Sequence, residues 1–155
     1  TFVVRVLQPW TENLRKRQVK APKVYLADTG LLHSLLSLET MSDLTGHPKV
    51  GASWEGLMLG LVTERLGVEP EECHFWATHA GAELDLLVVR GATRIGFEFK
   101  RTTSPRVTPS MRTALADLGL SRLDVVHAGT ETFPLAPRIR AVAAGRILQD
   151  IKPLR

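Results

Sequence analysis

The sequence predicts an α/β domain in which a mixed central β-sheet is flanked by helices. Segments rich in Val, Ile and Phe with strand-like patterning are separated by segments whose apolar residues recur at helical spacing. In the middle of the chain, two strand-like segments are joined by only two residues, which indicates an antiparallel hairpin. Strands interrupted by helices around such a hairpin are typical of a layered α/β domain whose sheet is mixed.

Composition limits the chain to one domain, residues 1–155. It has 155 residues, of which 44% are hydrophobic and 23% charged, and this is too short for a second full core. A single cysteine excludes an internal disulfide and suits a reducing compartment, so we expect a cytoplasmic protein. No apolar run approaches the roughly 18 to 20 residues that span a bilayer, so we expect no membrane partner.

The N-terminal segment predicts two strands and a short helix. The chain opens at Thr1 directly in an apolar run over 2–7, so we expect a strand there and a C-terminal piece of a longer protein. A second short strand is predicted over 23–26. Asp28 or Thr29 then caps a helix whose apolar residues share one face, namely Leu31, Leu32, Leu35 and Leu36.

A loop is predicted over 41–48 and a longer helix over 51–66. Apolar residues at helical spacing predict the buried face of this helix. Gly56 and Gly60 are four residues apart and indicate a surface pressed against the sheet, because glycine is otherwise unfavourable in a helix. The residues predicted to be buried are Trp54, Leu57, Met58, Leu61 and Val62.

The second half of the chain predicts most of the sheet. Strands are expected over 73–78, 82–90, 93–101 and 122–127, with two short ones over 133–135 and 139–143. A helix over 108–118 is predicted to stop at Gly119, and a short helix ends the chain.

The central hairpin carries the functional prediction. Gly91-Ala92 fits a type II′ turn, which pairs Arg90 with Thr93. Continued along the strands, this register sets Asp85 opposite Glu98 and Glu83 opposite Lys100. Strict alternation of side chains across the sheet would put the following residues of the first strand on one face: Glu83, Asp85, Leu87 and Val89.

Two opposed carboxylates repel each other unless a proton or a cation lies between them. Carboxylate oxygens suit Mg²⁺, and a metal beside a lysine can activate water for attack on a phosphodiester. Glu55, on the preceding helix, provides a third carboxylate. The alternative is a structural salt-bridge ladder, with Glu83 paired to Lys100 and with Asp85 and Glu98 simply exposed.

The charge distribution indicates nucleic acid as a partner. The net charge is +4 and the pI is near 9.6, with basic segments on either side of a centre that is rich in acids. Lysines and arginines so placed neutralise phosphates, although an ordinary solvated surface would also account for them. The candidate nucleic-acid-binding residues are Arg15, Lys16, Arg17, Lys20, Arg101 and Arg106.

These residues carry a family resemblance. Asp85 followed by Glu98-Phe99-Lys100, with Glu55 on an earlier helix, resembles the core of the PD-(D/E)xK nuclease superfamily. More specifically, the runs 23–32, 54–55, 75–76, 81–85 and 97–100 resemble the uncharacterised C-terminal domain that follows an AAA+ type ATPase module in many bacterial and archaeal proteins.

The resemblance implies a restriction-endonuclease-like fold and a Mg²⁺-dependent nuclease. The implied catalytic residues are Glu55, Asp85, Glu98 and Lys100, with Asp85 and Glu98 as metal ligands and Glu55 in support. Leu84 replaces the proline that precedes the aspartate in the superfamily. No phosphate-binding loop of the ATPase type occurs, so this fragment has no ATP site. The implied partners are an upstream ATPase domain of the same chain and further copies in an oligomer. The alternative function is a non-catalytic module that regulates or assembles an ATPase.

Overall fold

A computed structural model describes residues 3–11 and 21–154, and within them eight strands form one sheet. The spatial order is β2-β1-β3-β4-β5-β6-β8-β7. Three neighbouring pairs are parallel (β1 with β3, β5 with β6, β6 with β8), and the others are antiparallel. The strands are β1 Val4–Pro9, β2 Lys23–Leu26, β3 Cys73–Ala77, β4 Glu83–Arg90, β5 Thr93–Lys100, β6 Arg122–His127, β7 Phe133–Ala136 and β8 Ile139–Ala143.

Helices cover the sheet and enclose two hydrophobic clusters. The longest helix, α3, packs against β5, and α4 packs against β4. The α3 cluster includes Leu59, Val62, Leu86 and Phe97, and the α4 cluster includes Leu87, Met111 and Leu123. The mixed α/β sheet that the sequence predicts is therefore confirmed. The α-helices are α1 Thr29–Leu35, α2 Met41–Gly46, α3 Val50–Leu66, α4 Pro109–Asp117 and α5 Ile147–Asp150, with 3₁₀ turns at Pro70–Glu72 and Ala144–Arg146.

The segment predicted to be a loop over 41–48 contains a helix, α2. The Thr40 hydroxyl accepts the Asp43 backbone N–H at 3.1 Å, and the Asp43 carboxylate accepts the Thr40 backbone N–H at 3.0 Å. This capping box satisfies two backbone donors at the start of a very short helix. The loop prediction was wrong because six residues are too few for apolar periodicity to show, and only the cap marks the helix.

The buried face of α3 differs from the predicted one. Leu57 and Leu61 are 42% and 39% exposed, whereas Gly56 and Leu59 are buried. Apolar residues lie on all sides of this helix, so their spacing cannot select the face that meets the sheet. The prediction for Met58 and Val62 is confirmed.

The two glycines of α3 do mark a close approach to the sheet. A methyl group at Gly56 would lie 3.2 Å from Cδ1 of Tyr25, and one at Gly60 would lie 2.9 Å from Nη1 of Arg5. Strands β1 and β2 thus press their side chains against α3. This packing brings Tyr25 next to Glu55, one residue before Gly56 in the sequence.

No helix within the described ranges is both long and apolar enough to cross a membrane.

Candidate active site

The hairpin of β4 and β5 has the predicted turn and register. Gly91 has a φ of 58°, and Ala92 is not among the residues with positive φ, as a type II′ turn requires. Arg90 lies opposite Thr93, and the paired positions continue to Leu86 opposite Phe97. One residue further, the Asp85 carboxylate accepts the backbone N–H of Phe99 at 2.9 Å.

A β-bulge in β4 changes the direction of Asp85. Against β3, Leu87 lies opposite His74 and Leu84 opposite Trp76, so two residues, Asp85 and Leu86, lie across from one. Leu84 and Leu87 consequently pack in the same cluster. The prediction that Glu83, Asp85, Leu87 and Val89 share one face was wrong, because the extra residue breaks the alternation.

The two carboxylates of the hairpin are buried. Asp85 is 8% exposed and Glu98 is 4% exposed. Burial and then the Asp85 charge raise the pKa of Glu98 to about 7. Burial and then the Glu55 charge raise the pKa of Asp85, although the Phe99 N–H and two lysines act in the opposite direction. The alternative in which both acids are exposed on a wet sheet face is excluded.

Glu55 joins the cluster from α3 through two residues of β2. The Tyr25 hydroxyl donates to Oε1 of Glu55, and Lys23 Nζ lies 3.1 Å from the same oxygen. Lys23 Nζ also lies 3.8 Å from Oδ1 of Asp85. Burial, followed by the bond to Glu55, raises the pKa of Tyr25, so its hydroxyl keeps its proton.

Lys100 contacts Glu98, not Glu83. Its Nζ lies 2.8 Å from Oε2 of Glu98, and its side chain is 45% exposed. Glu83 is exposed, so the structural ladder with Glu83 paired to Lys100 does not form. Burial lowers the pKa of Lys100, but Glu98 and the other carboxylates outweigh it and the net shift is upward. Lys100 is therefore an ammonium at neutral pH.

The predicted basic residues divide into two groups. Arg101 and Arg106 lie beside the cluster and line a groove that also contains Lys100. Arg15, Lys16, Arg17 and Lys20 lie outside the described residues.

Sequence reasoning missed Lys23 and Tyr25 as members of the site. Both lie in the predicted strand 23–26, two residues apart, so alternation places them on one face. A polar pair on one face of a short strand was the available signal. What the sequence does not contain is the contact between β2 and α3, which depends on the packing at Gly56.

The cluster offers few acidic side chains to a metal ion. In the part of the chain that the structure describes, no three side chains of the His, Cys, Asp and Glu types are grouped so as to hold a metal ion. Asp85 and Glu98 instead form a pair. Lys23 Nζ lies 3.8 Å from Oδ1 of Asp85, and Lys100 Nζ lies 2.8 Å from Oε2 of Glu98.

Comparison with known proteins identifies relatives without a described function. A family model described as a domain of unknown function (DUF4143) matches residues 50–147, and a second such model (DUF8612) matches residues 1–42. The uncharacterized proteins Rv2008c of Mycobacterium tuberculosis and Mb2031c of Mycobacterium bovis are each 47% identical to the chain over 147 residues. These alignments cover 95% of the chain and 33% of each relative, so the chain spans about a third of their length. No solved structure matches the chain.

Proposed function

Since the chain belongs to the DUF4143 family, whose function is unknown, we propose that it is a nuclease-like domain that binds nucleic acid and hydrolyses phosphodiester bonds with Mg²⁺. One observation carries the proposal: two buried carboxylates, Asp85 and Glu98, lie side by side at the end of a hairpin with the Lys100 ammonium in contact. With it we propose that the mixed sheet is a restriction-endonuclease-like core.

The donor set fits a hard divalent cation. Burial, and after it the charge of a neighbouring carboxylate, raises the pKa of both Asp85 and Glu98. A bound cation would offset both effects. Mg²⁺ keeps several waters and is commonly held by only one or two protein carboxylates. A pair without a third acid is therefore sufficient. When bound, such an ion would supply an activated water and charge neutralisation at the phosphate.

Lys100 is suited to stabilise charge. Its upward pKa shift keeps the proton on Nζ, so it cannot act as a general base near neutral pH. Its partial exposure leaves the ammonium accessible to a phosphate oxygen. The Lys100 ammonium would stabilise negative charge that develops on a phosphodiester next to Glu98.

Glu55 has a positioning role in this proposal. Its Oε1 receives both the Tyr25 hydroxyl and the Lys23 ammonium, so the carboxylate is held beside Asp85 in one orientation. If Glu55 is also a metal ligand, it would bind the metal through its other oxygen, Oε2. Lys23 links Glu55 to Asp85 and limits the repulsion between them.

We also propose that the domain works with an ATPase module in the full-length protein. The family is found in ATPase-associated proteins, and the relatives are about three times as long as the matched segment.

A non-catalytic interaction module is the second candidate, and one contact favours it. Lys23 Nζ already places a positive charge between Glu55 and Asp85. If this lysine is the permanent counter-ion of the cluster, the acids are structural and the domain acts through its surface.

Calorimetric titration of Mg²⁺ and Mn²⁺, with DNA cleavage measured on the same samples, separates the two. We expect binding and metal-dependent nicking in the native chain, both lost in Asp85→Asn/Glu98→Gln. Glu71→Gln is the matched control, because it removes an exposed acid that does not line the pocket of Asp85 and Glu98. Absence of binding in the native chain, with binding appearing in Lys23→Gln, would establish the non-catalytic module instead.

A further inference from the structure

A groove of about 420 Å³ adjoins the carboxylate cluster. It lies between the start of α3 and the segment that follows β5, and its walls include Trp54, Phe99 and Pro105. It shares Lys100 and Thr108 with the smaller pocket that holds Asp85 and Glu98. A ligand in this groove would therefore be next to the candidate active site.

The groove combines apolar walls with a basic rim. Three cations line it, Lys100, Arg101 and Arg106, and no acid does. Arg101 and Arg106 have no ion-pair or hydrogen-bond partner among the described residues. In those same residues the buried indole N–H of Trp54 has no acceptor. The volume of the groove is within the range of small-molecule binding sites.

We propose that this groove holds one unpaired nucleobase, with Arg101 and Arg106 on the flanking phosphates. Aromatic walls with cations along the backbone path are the chemistry by which proteins bind single strands without regard to sequence. Trp54 supplies an aromatic wall against which a base would stack. In a duplex both faces of a base are covered by stacking, so a paired base cannot enter unless it is flipped out.

This inference rests on the proposed function and names its substrate class: nucleic acid with a single-stranded segment at the site of cleavage. Because the groove residues and the carboxylates are different, each can be tested without the other. Binding measured in the presence of a chelator excludes the contribution of a metal, and variants of the groove residues then report on the groove.

The test is fluorescence anisotropy with a labelled 12-nucleotide single strand and the duplex of the same sequence, both with EDTA at one fixed salt concentration. We expect the single strand to bind at least about 10-fold more tightly than the duplex. Arg101→Ala/Arg106→Ala should abolish this preference and weaken single-strand binding by about 10-fold or more. Trp54→Phe should weaken it by a smaller factor.

Arg112→Ala/Lys152→Ala is the matched control, since it removes the same charge from exposed positions outside the groove. It should change single-strand affinity by less than about 2-fold, and circular dichroism should show all variants folded. Equal affinity for single strand and duplex overturns the inference, as does a control variant that weakens binding as much as the groove variant. In either case, the proposed function would still be supported if metal binds to the native chain and does not bind to Asp85→Asn/Glu98→Gln.

Discussion

Two sites in the same sheet contain buried carboxylates, and the charge of the carboxylates is neutralised differently at each site. Asp124 in β6 is fully buried and is held by Arg140, whose Nε and Nη2 lie 2.7 and 3.0 Å from its two oxygens. Arg122 adds a third contact at 3.3 Å. Asp85 and Glu98 instead lie beside each other, with Lys23 near the first and Lys100 in contact with the second.

Under the proposed function, the difference is one between structural and functional burial of charge. At Asp124 every oxygen has a guanidinium donor, which is the arrangement that makes a buried ion pair tolerable. At the hairpin end, like charges are adjacent and the pKa of each acid is raised. Sites of the second kind lower stability and are retained where chemistry requires them. The predictions below test this contrast.

The largest effect is expected from Asp124→Asn. It leaves two guanidinium groups beside a neutral amide inside the sheet, and we expect the free energy of unfolding to fall by about 3 kcal/mol. Urea denaturation at pH 7 measures it. The same measurement on Asp85→Asn should show a change below about 1 kcal/mol, and an equal loss in both variants would remove the contrast.

Asp85→Asn should instead act on function. If Asp85 holds the metal, we expect metal-dependent cleavage to fall at least about 100-fold, since the neutral amide has one oxygen fewer and no negative charge to hold the cation. Initial rates of nicking at saturating Mg²⁺ measure this. The comparison variant is Glu71→Gln, which removes an exposed acid outside the pocket. An unchanged rate in Asp85→Asn would contradict the assignment.

The pH dependence of stability follows from Glu98. Its pKa is raised from 4.5 to about 7 in the native state, so the native state binds the proton more tightly. The stability that this group contributes is therefore fully present below pH 4.5 and is lost as pH rises to 7. We expect a loss of about 1 to 3 kcal/mol across this window.

Glu98→Gln removes this titration together with its coupling to Asp85. As the pH rises from 4.5 to 8, the unfolding free energy of the native chain should fall relative to that of Glu98→Gln. Thermal or urea denaturation at several pH values measures the difference. A difference that stays constant with pH would mean that Glu98 titrates normally.

The smallest effect is expected from Arg122→Gln. Its contact with Asp124 is longer than those of Arg140, and its side chain is 33% exposed. Since Arg140 still holds both oxygens, we expect a loss of about 1 kcal/mol or less. Denaturation alongside Asp124→Asn measures it, and a loss as large as that of Asp124→Asn would mean that Arg122 is the essential partner.

Local sequence patterns were sufficient to predict the hairpin. The two residues Gly91 and Ala92 determine the turn, and the turn fixes the register of all paired positions. The alternation of β5 likewise places Lys100 near Glu98, and the contact is present. Both predictions depend on neighbours in sequence.

The unpredicted parts of the site depend on contacts between distant segments. Tyr25 and Glu55 are 30 residues apart and meet because α3 packs on β2. The bulge at Asp85 has no marker in the sequence, because an extra residue in a strand changes pairing without changing composition. The exposed sides of α3 were misassigned because its apolar residues surround the helix.

The bulge has a consequence for how this strand tolerates change. Leu84, Leu86 and Leu87 are fully buried on either side of Asp85 and fill both hydrophobic clusters. Position 85 belongs to neither cluster, and its carboxylate instead accepts the backbone N–H of Phe99. Asparagine or serine there keeps a side-chain acceptor and should give folded proteins much more often than the same substitutions at the three leucines, so the chemistry at this position can change while the fold is retained.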